Sequence, residues 1–340
     1  MASIITRSEL MEKTHTTLPF RSRIIAQSST ESTSIFIHSP IWHRYPTRPV
    51  RIIVGFAAGG GSDITARLMG QWLSERLGQQ FVIDNRPAAS GNIATEAVVR
   101  APPDGYTLLL FSSSAATNAA LYDKLNFISS GTSCRSPALL SCPTSWCCIH
   151  RFRPRRSLSS SLTPKVIQAR STMASGGWGT LSHLEGELFK MMTGVNMVHV
   201  PYRGQTPALT DLLAGQVQVL FNSPPASIEY IKAGRLRALA VTTATRSETL
   251  PGIPTVGEFV PGFEASHWFG IGAPRNTPAE IVDKLNKEIN AALADPNMKA
   301  RLADLGGTVL VGSPADFGKL MTDDTGKWSK VIKFADIKPE

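Results

Sequence analysis

From Arg51 onward, short β-branched runs alternate with stretches whose apolar residues recur at helical spacing. Arg51-Ile-Ile-Val-Gly-Phe56 has the length and branching of a strand. It ends in Ala57-Ala-Gly-Gly-Gly-Ser62, after which Ile64, Leu68, Trp72 and Leu77 mark the inward face of a helix. The same unit recurs with a strand at Phe81-Val-Ile-Asp84, a helix from Gly91 to Arg100, a turn at Asp104-Gly105 and a strand at Tyr106-Thr-Leu-Leu-Leu-Phe111. In the second half the pattern predicts helices over 182–192, 207–214 and 227–233, and strands over 197–200, 217–221 and 236–242. A strand over 268–273 then precedes a helix to Ala294, with Thr277 as its N-cap and Pro278 at its first position. A further helix runs to about Leu305, and Ser313-Pro314 opens a terminal helix toward Lys333. Alternating strands and helices imply an α/β protein with parallel-core sheets covered on both faces.

Length and composition add that two cores fit: 340 residues, 42% hydrophobic and 18% charged, exceed one typical domain. No run of 18 apolar residues occurs, so no membrane span is indicated. The formal charge of +9 is localised. Residues 128–172 hold seven Lys or Arg and no acid, residues 1–46 hold five basic against three acidic, and the rest is balanced. A neutral body argues against a nucleic-acid partner. Cys134, Cys142, Cys147 and Cys148 match no zinc spacing, so neither metal nor cofactor is expected. Met1 to Arg44 contains no apolar core with a cleavage site, so it is not a signal peptide, and residues 1–45 are expected to be a disordered leader or spurious translation.

The chemistry concentrates in two glycine-rich loops. Ala58-Gly-Gly-Gly-Ser-Asp63 lies between a strand and a helix, where glycines admit close backbone approach and free N–H groups attract an anion. It lacks the Lys of a phosphate loop. The plainer reading is that the glycines turn the chain and Asp63 caps the helix. Ala174-Ser-Gly-Gly-Trp-Gly-Thr180 is a second such loop, leading through Ser182-His183 into a helix. Two loops of this kind facing each other could grip a carboxylate without a buried Arg. Ser175 sits in no GxSxG elbow. His183 suits hydrogen bonding to the chain or a ligand better than a catalytic dyad, and Arg203 is either a carboxylate clamp or a surface Arg.

Several segments together resemble the tripartite tricarboxylate transporter substrate-binding proteins, also called Bug proteins. They are Tyr45-Pro-Thr-Arg-Pro-Val-Arg-Ile-Ile-Val-Gly-Phe-Ala-Ala-Gly-Gly60, Asp84-Asn-Arg-Pro87, Pro103-Asp-Gly-Tyr-Thr-Leu108, Val200-Pro-Tyr-Arg-Gly204, and Ala240-Val-Thr-Thr243 with Leu250-Pro-Gly-Ile-Pro-Thr255. The resemblance covers residues 45–127 and 173–340. It implies a two-lobed clamp of the type II periplasmic-binding-protein kind, with a hinge crossed twice and a small carboxylate or dicarboxylate in the cleft. It further implies a periplasmic location, membrane permease subunits as partners, a monomer, and no catalysis. First-lobe contacts would be Phe56, Gly59, Gly60, Ser62, Asp63, Ser112 and Asn118. Second-lobe contacts would be Ser175, Gly176, Thr180, His183, Tyr202, Arg203 and Asn222. Trp178 and Leu181 depart from the family pattern, and Trp178 is expected to fill part of the cleft. An α/β enzyme acting on a phosphorylated or carboxylated small molecule is the alternative.

Residues 128–172 depart most, showing Ser, Arg, Cys and Pro without period where the family has a strand and then a helix. They are expected to be aberrant, translated out of frame, and to leave the chain poorly folded. The resulting division is lobe 1 at 46–144 and 266–340, and lobe 2 at 145–265.

Overall fold

The computed structural model describes residues 45–122, 135–142, 146–150 and 171–339. The leader expected at the N-terminus, and most of the segment expected to be aberrant, lie outside the described residues.

Two mixed sheets form the framework. The first runs β11-β4-β10-β3-β1-β2, with β1 Val50–Val54, β2 Phe81–Asn85, β3 Thr107–Ser112, β4 Arg135–Cys142, β10 His267–Ala273 and β11 Thr308–Leu310. The second runs β7-β6-β8-β5-β9, with β5 Trp146–His150, β6 Thr172–Ser175, β7 Val198–Pro201, β8 Val219–Asn222 and β9 Leu236–Val241. Each has a parallel core, β2-β1-β3 and β7-β6-β8, extended by antiparallel strands. The chain leaves the first sheet between β4 and β5 and returns between β9 and β10.

The β-branched and Leu runs become strands because both of their faces find cover. Ile52, Val54, Leu108 and Leu110 enter one core with helices α1 (Gly61–Leu77) and α7 (Ala279–Ala294), while the intervening Ile53, Leu109 and Phe111 enter another. This two-residue alternation serves both faces of a buried strand. In the second sheet Leu220 joins a core with α5 (Gln205–Ala214) and α6 (Pro224–Lys232), and its neighbours Val219 and Phe221 join one with α4 (Leu181–Thr193). Helices α2 (Asn92–Val99), α3 (Ser114–Leu121), α8 (Pro296–Asp304) and α9 (Pro314–Phe334) complete the described set. α9 joins two cores, placing Phe317 beside Trp268 of the first sheet and Trp328 among the α4 residues of the second.

Three expectations are corrected. Residues 135–142 and 146–150 form strands, although no alternation announces them. β4 lies between β10 and β11, and β5 between β8 and β9, so partners on both sides supply the ladder that local propensity does not. Both are antiparallel to their neighbours, where a parallel strand was expected. Thr277 does not cap α7. Its Oγ1 donates to the Pro274 carbonyl at 2.7 Å, and Pro278 takes the N-cap position. Ser313 does cap α9, in a reciprocal box with Asp316.

Candidate functional site

The parallel strands β1, β3, β6 and β8 all deliver their C-terminal ends toward one region, where open α/β sheets place their ligands. The first loop crosses from β1 to α1. Asp63 is buried at 2% exposure and turns back on the loop, its Oδ2 accepting from Gly59 N–H and from Arg67 Nε, each at 2.9 Å. Burial pushes its carboxyl up, but the donors Arg67, Gly59 and Asn85 outweigh burial and hold it below the usual range. Asp63 is therefore an anion committed to shaping the loop.

The second loop crosses from β6 to α4 and is held the same way. Gly176 N–H donates to Ser182 Oγ at 2.9 Å, and Thr180 Oγ1 donates to the Gly177 carbonyl at 2.7 Å. His183 accepts from Gly179 N–H through Nδ1 at 3.1 Å and stacks on His199, with ring centroids 3.7 Å apart. His199 Nε2 lies 2.6 Å from Ser175 Oγ. Burial, followed by the neighbouring His183, pushes His199 down to about 3, so its ring is neutral. Trp178 covers this stack and donates its indole N–H to the Lys338 carbonyl at 2.8 Å. It does not line the cleft, contrary to expectation.

Between the loops lies a cavity of about 30 Å³. Phe56, Gly60, Gly61, Ser62, Ser112 and Ser114 border it from one side, with His267 and Phe269 of β10, and Gly176, Thr180, Ser182 and Gln205 border it from the other. Four helices start here, α1 at Gly61, α3 at Ser114, α4 at Leu181 and α5 at Gln205, and none has a side-chain cap bond. Their partial positive ends and the surrounding hydroxyls, with no Lys or Arg among the described lining residues, give the cavity wall a dipolar character suited to negative oxygen. Cross-cleft bonds close it, among them Thr206 Oγ1 to the Ala58 carbonyl at 2.8 Å and Thr117 Oγ1 to the Gly179 carbonyl at 2.7 Å. At Gly204, φ of +124° favours glycine, and an added Cβ would crowd Ala57 at 3.2 Å.

Of the residues nominated from sequence, Phe56, Gly60, Ser62, Ser112, Gly176 and Thr180 meet at the cavity. Gly59, Asp63, Ser175 and His183 stand behind them in the loop networks. Asn118 Nδ2 donates to the Ser90 carbonyl and to Asn92 Oδ1. Tyr202 donates its hydroxyl to Asp211 at 2.6 Å, and burial together with that bond pushes the phenol up to about 12. Arg203 is exposed and outside the lining. Asn222 is fully buried at the end of β8, and neither amide atom has a hydrogen-bond partner among the described residues. Sequence reasoning missed Gly61, Ser114, Ser182, Gln205, His267 and Phe269 as lining. Ser182 and Gln205 directly follow glycine motifs and could have been found by extending them, whereas β10 carries no motif. Among the described residues no group of three or more His, Cys, Asp or Glu is placed to hold a metal.

Comparison with known proteins agrees with this geometry. Residues 65–337 match the model of the tripartite tricarboxylate transporter family receptor. The chain is similar to R. palustris Rpa4515, solved with adipate, at 36% identity and a TM-score of 0.80, covering 87% of this chain and all of that one. It is similar to the periplasmic binding protein BugD at 34% identity and a TM-score of 0.79, with the same coverage. MatC from Rhodopseudomonas palustris, solved with malate, is 29% identical with a TM-score of 0.76, covering 85% of this chain and all of that one.

Proposed function

Because the chain belongs to the tripartite tricarboxylate transporter receptor family, we propose that it is an extracytoplasmic receptor that closes over a small carboxylate or dicarboxylate and delivers it to membrane permease subunits. One observation carries this reading: four helix starts without an N-cap side-chain bond and a ring of small hydroxyls surround a cavity with no Lys or Arg among its described lining residues. Adipate in Rpa4515 and malate in MatC support the ligand class.

The cavity residues Phe56, Gly60, Ser62, Ser112, Gly176 and Thr180 are the proposed contacts, joined by Gly61, Ser114 and Ser182. The proposed lobes are 46–144 with 266–340, and 145–265, acting as a monomeric clamp in the periplasm. Binding without turnover is the proposed activity. The nearest approach to an enzyme is the Ser175–His199 pair, but Ser175 is fully buried and its hydroxyl is shared with Gly177.

A thermal-shift screen of mono-, di- and tricarboxylates tests the proposal. A ligand at 100 times its dissociation constant adds about 2.7 kcal/mol to stability and raises the midpoint by several degrees. A flat response to every carboxylate, with a shift from a nucleotide or sugar phosphate instead, would favour the enzyme.

A further inference from the structure

We propose that Gln205 limits the affinity for carboxylates by holding its own amide oxygen where a ligand carboxylate oxygen has to sit; the inference rests on the carboxylate-receptor reading above. Gln205 Oε1 accepts from Ser223 Oγ at 2.7 Å and from Gly61 N–H at 3.3 Å. The donors come from opposite sides of the cleft: Gly61 opens α1 beyond the first sheet, and Ser223 is the N-cap residue of α6 beyond the second. Ser223 is fully buried. An amide oxygen is the uncharged acceptor nearest in shape to a carboxylate oxygen. It is seated at the first N–H of a 17-residue helix, where negative oxygen is favoured.

An independent feature of the same cavity indicates a polar guest. His267 lines it at 5% exposure, and its Nε2 has no hydrogen-bond partner among the described residues. The nearest carboxylate oxygen, Glu185 Oε2, is 3.5 Å away, at ion-pair rather than hydrogen-bond range. His267 thus brings a polar ring to the cavity wall, short of a full hydrogen bond at Nε2.

Space decides that Gln205 yields rather than assists. About 30 Å³ admits roughly two waters and no dicarboxylate. The rest of the lining consists of glycines, hydroxyls on one rotatable bond, and rings fixed in the walls. Gln205 is half-buried and turns about three side-chain bonds, so it can swing out without moving the main chain. Ligand and side chain then compete for Gly61 and Ser223, and the apparent affinity is lowered by the fraction of time Gln205 is seated.

Calorimetric titration of the full chain with malate and with adipate tests this. Gln205→Ala frees both donors and binds about tenfold tighter, the equivalent of two hydrogen bonds no longer broken. Gln205→Glu binds at least tenfold weaker, because a tethered carboxylate accepts from the same donors more strongly and repels the incoming anion. Thr206→Ala, which removes the neighbouring cross-cleft bond but leaves Gln205 seated, does not tighten binding. If the wild type binds and Gln205→Ala binds equally or more weakly, the side chain is a ligand contact or a bystander and the inference falls alone. Equal tightening in Thr206→Ala would assign the gain to general loosening and also overturn it. Binding by Gln205→Ala where the wild type is silent supports it, and silence from both removes the receptor reading as well.

Discussion

At Gly61 the two sides of the cleft leave no room for a side chain. A Cβ built there would stand 2.2 Å from Ser223 Oγ and 3.2 Å from Ser223 Cβ, so rotating the hydroxyl away cannot relieve the contact fully. Gly61→Ala should therefore push Ser223 and α1 apart while keeping the secondary structure, the overlap offsetting the gain of up to about 1 kcal/mol that alanine brings to a helix over glycine. It should weaken carboxylate binding at least tenfold by blocking closure. Urea unfolding and calorimetry on the same variant separate the two effects, and unchanged affinity would show that closure does not need this contact. Gly60, singled out in sequence for the same reason, is less constrained, since an added Cβ meets nothing nearer than 3.5 Å. The glycine loops were legible because close approach demands glycine wherever it occurs. Side-chain direction was not, so Asp63 and Tyr202 look like ligand contacts in their motifs yet bond Gly59 and Asp211. Gln205 and His267 had no motif of their own, and only folding brings them to the cavity.

At the scale of elements, β6, β7 and α4 meet where Ser175 bonds His199 and His199 stacks on His183. The fold keeps His199 unprotonated down to about pH 3, whereas the unfolded chain takes up a proton below about pH 6.5. The unfolded state thus binds more protons between these values, and stability falls as pH drops through that window, by on the order of 2 to 4 kcal/mol at its lower end. His199→Phe keeps the stack and removes the titration, so its stability should fall less steeply over the same range. Parallel curves for variant and wild type would exclude His199 as the source. α9 offers a second test. Trp328 is 1% exposed in the core shared with α4, and Trp328→Ala should cost about 3 to 5 kcal/mol in urea unfolding although it lies on the C-terminal helix. A loss below about 1 kcal/mol would mean that α9 does not brace that lobe. Most helices and parallel strands were legible from period alone because one or both of their faces must be apolar. β4 and β5 were not, because their pairing is supplied by neighbours far along the chain. The α7 cap was misread because Thr277 had a nearer acceptor in Pro274.

Over the whole molecule, two parallel-core sheets joined by two crossings turn their strand ends toward one another, and the anion cradle exists only where both contribute. The alternation of strands and helices announced the parallel-core sheets, and the family resemblance implied the two lobes and two crossings. The closeness of the two glycine loops could be proposed from sequence but depended on how the sheets face. The proposed receptor holds a carboxylate there by helix starts and hydroxyls, with no Lys or Arg of the described lining residues taking part. A crystal structure grown with the strongest ligand of the carboxylate screen tests it most directly. One ligand molecule should lie between the lobes, a carboxylate oxygen about 3 Å from the backbone N–H groups at Gly61 and Ser62, and hydroxyls of Thr180 or Ser182 within the same reach. A ligand gripped by Arg203, or seated outside the cleft, would contradict it.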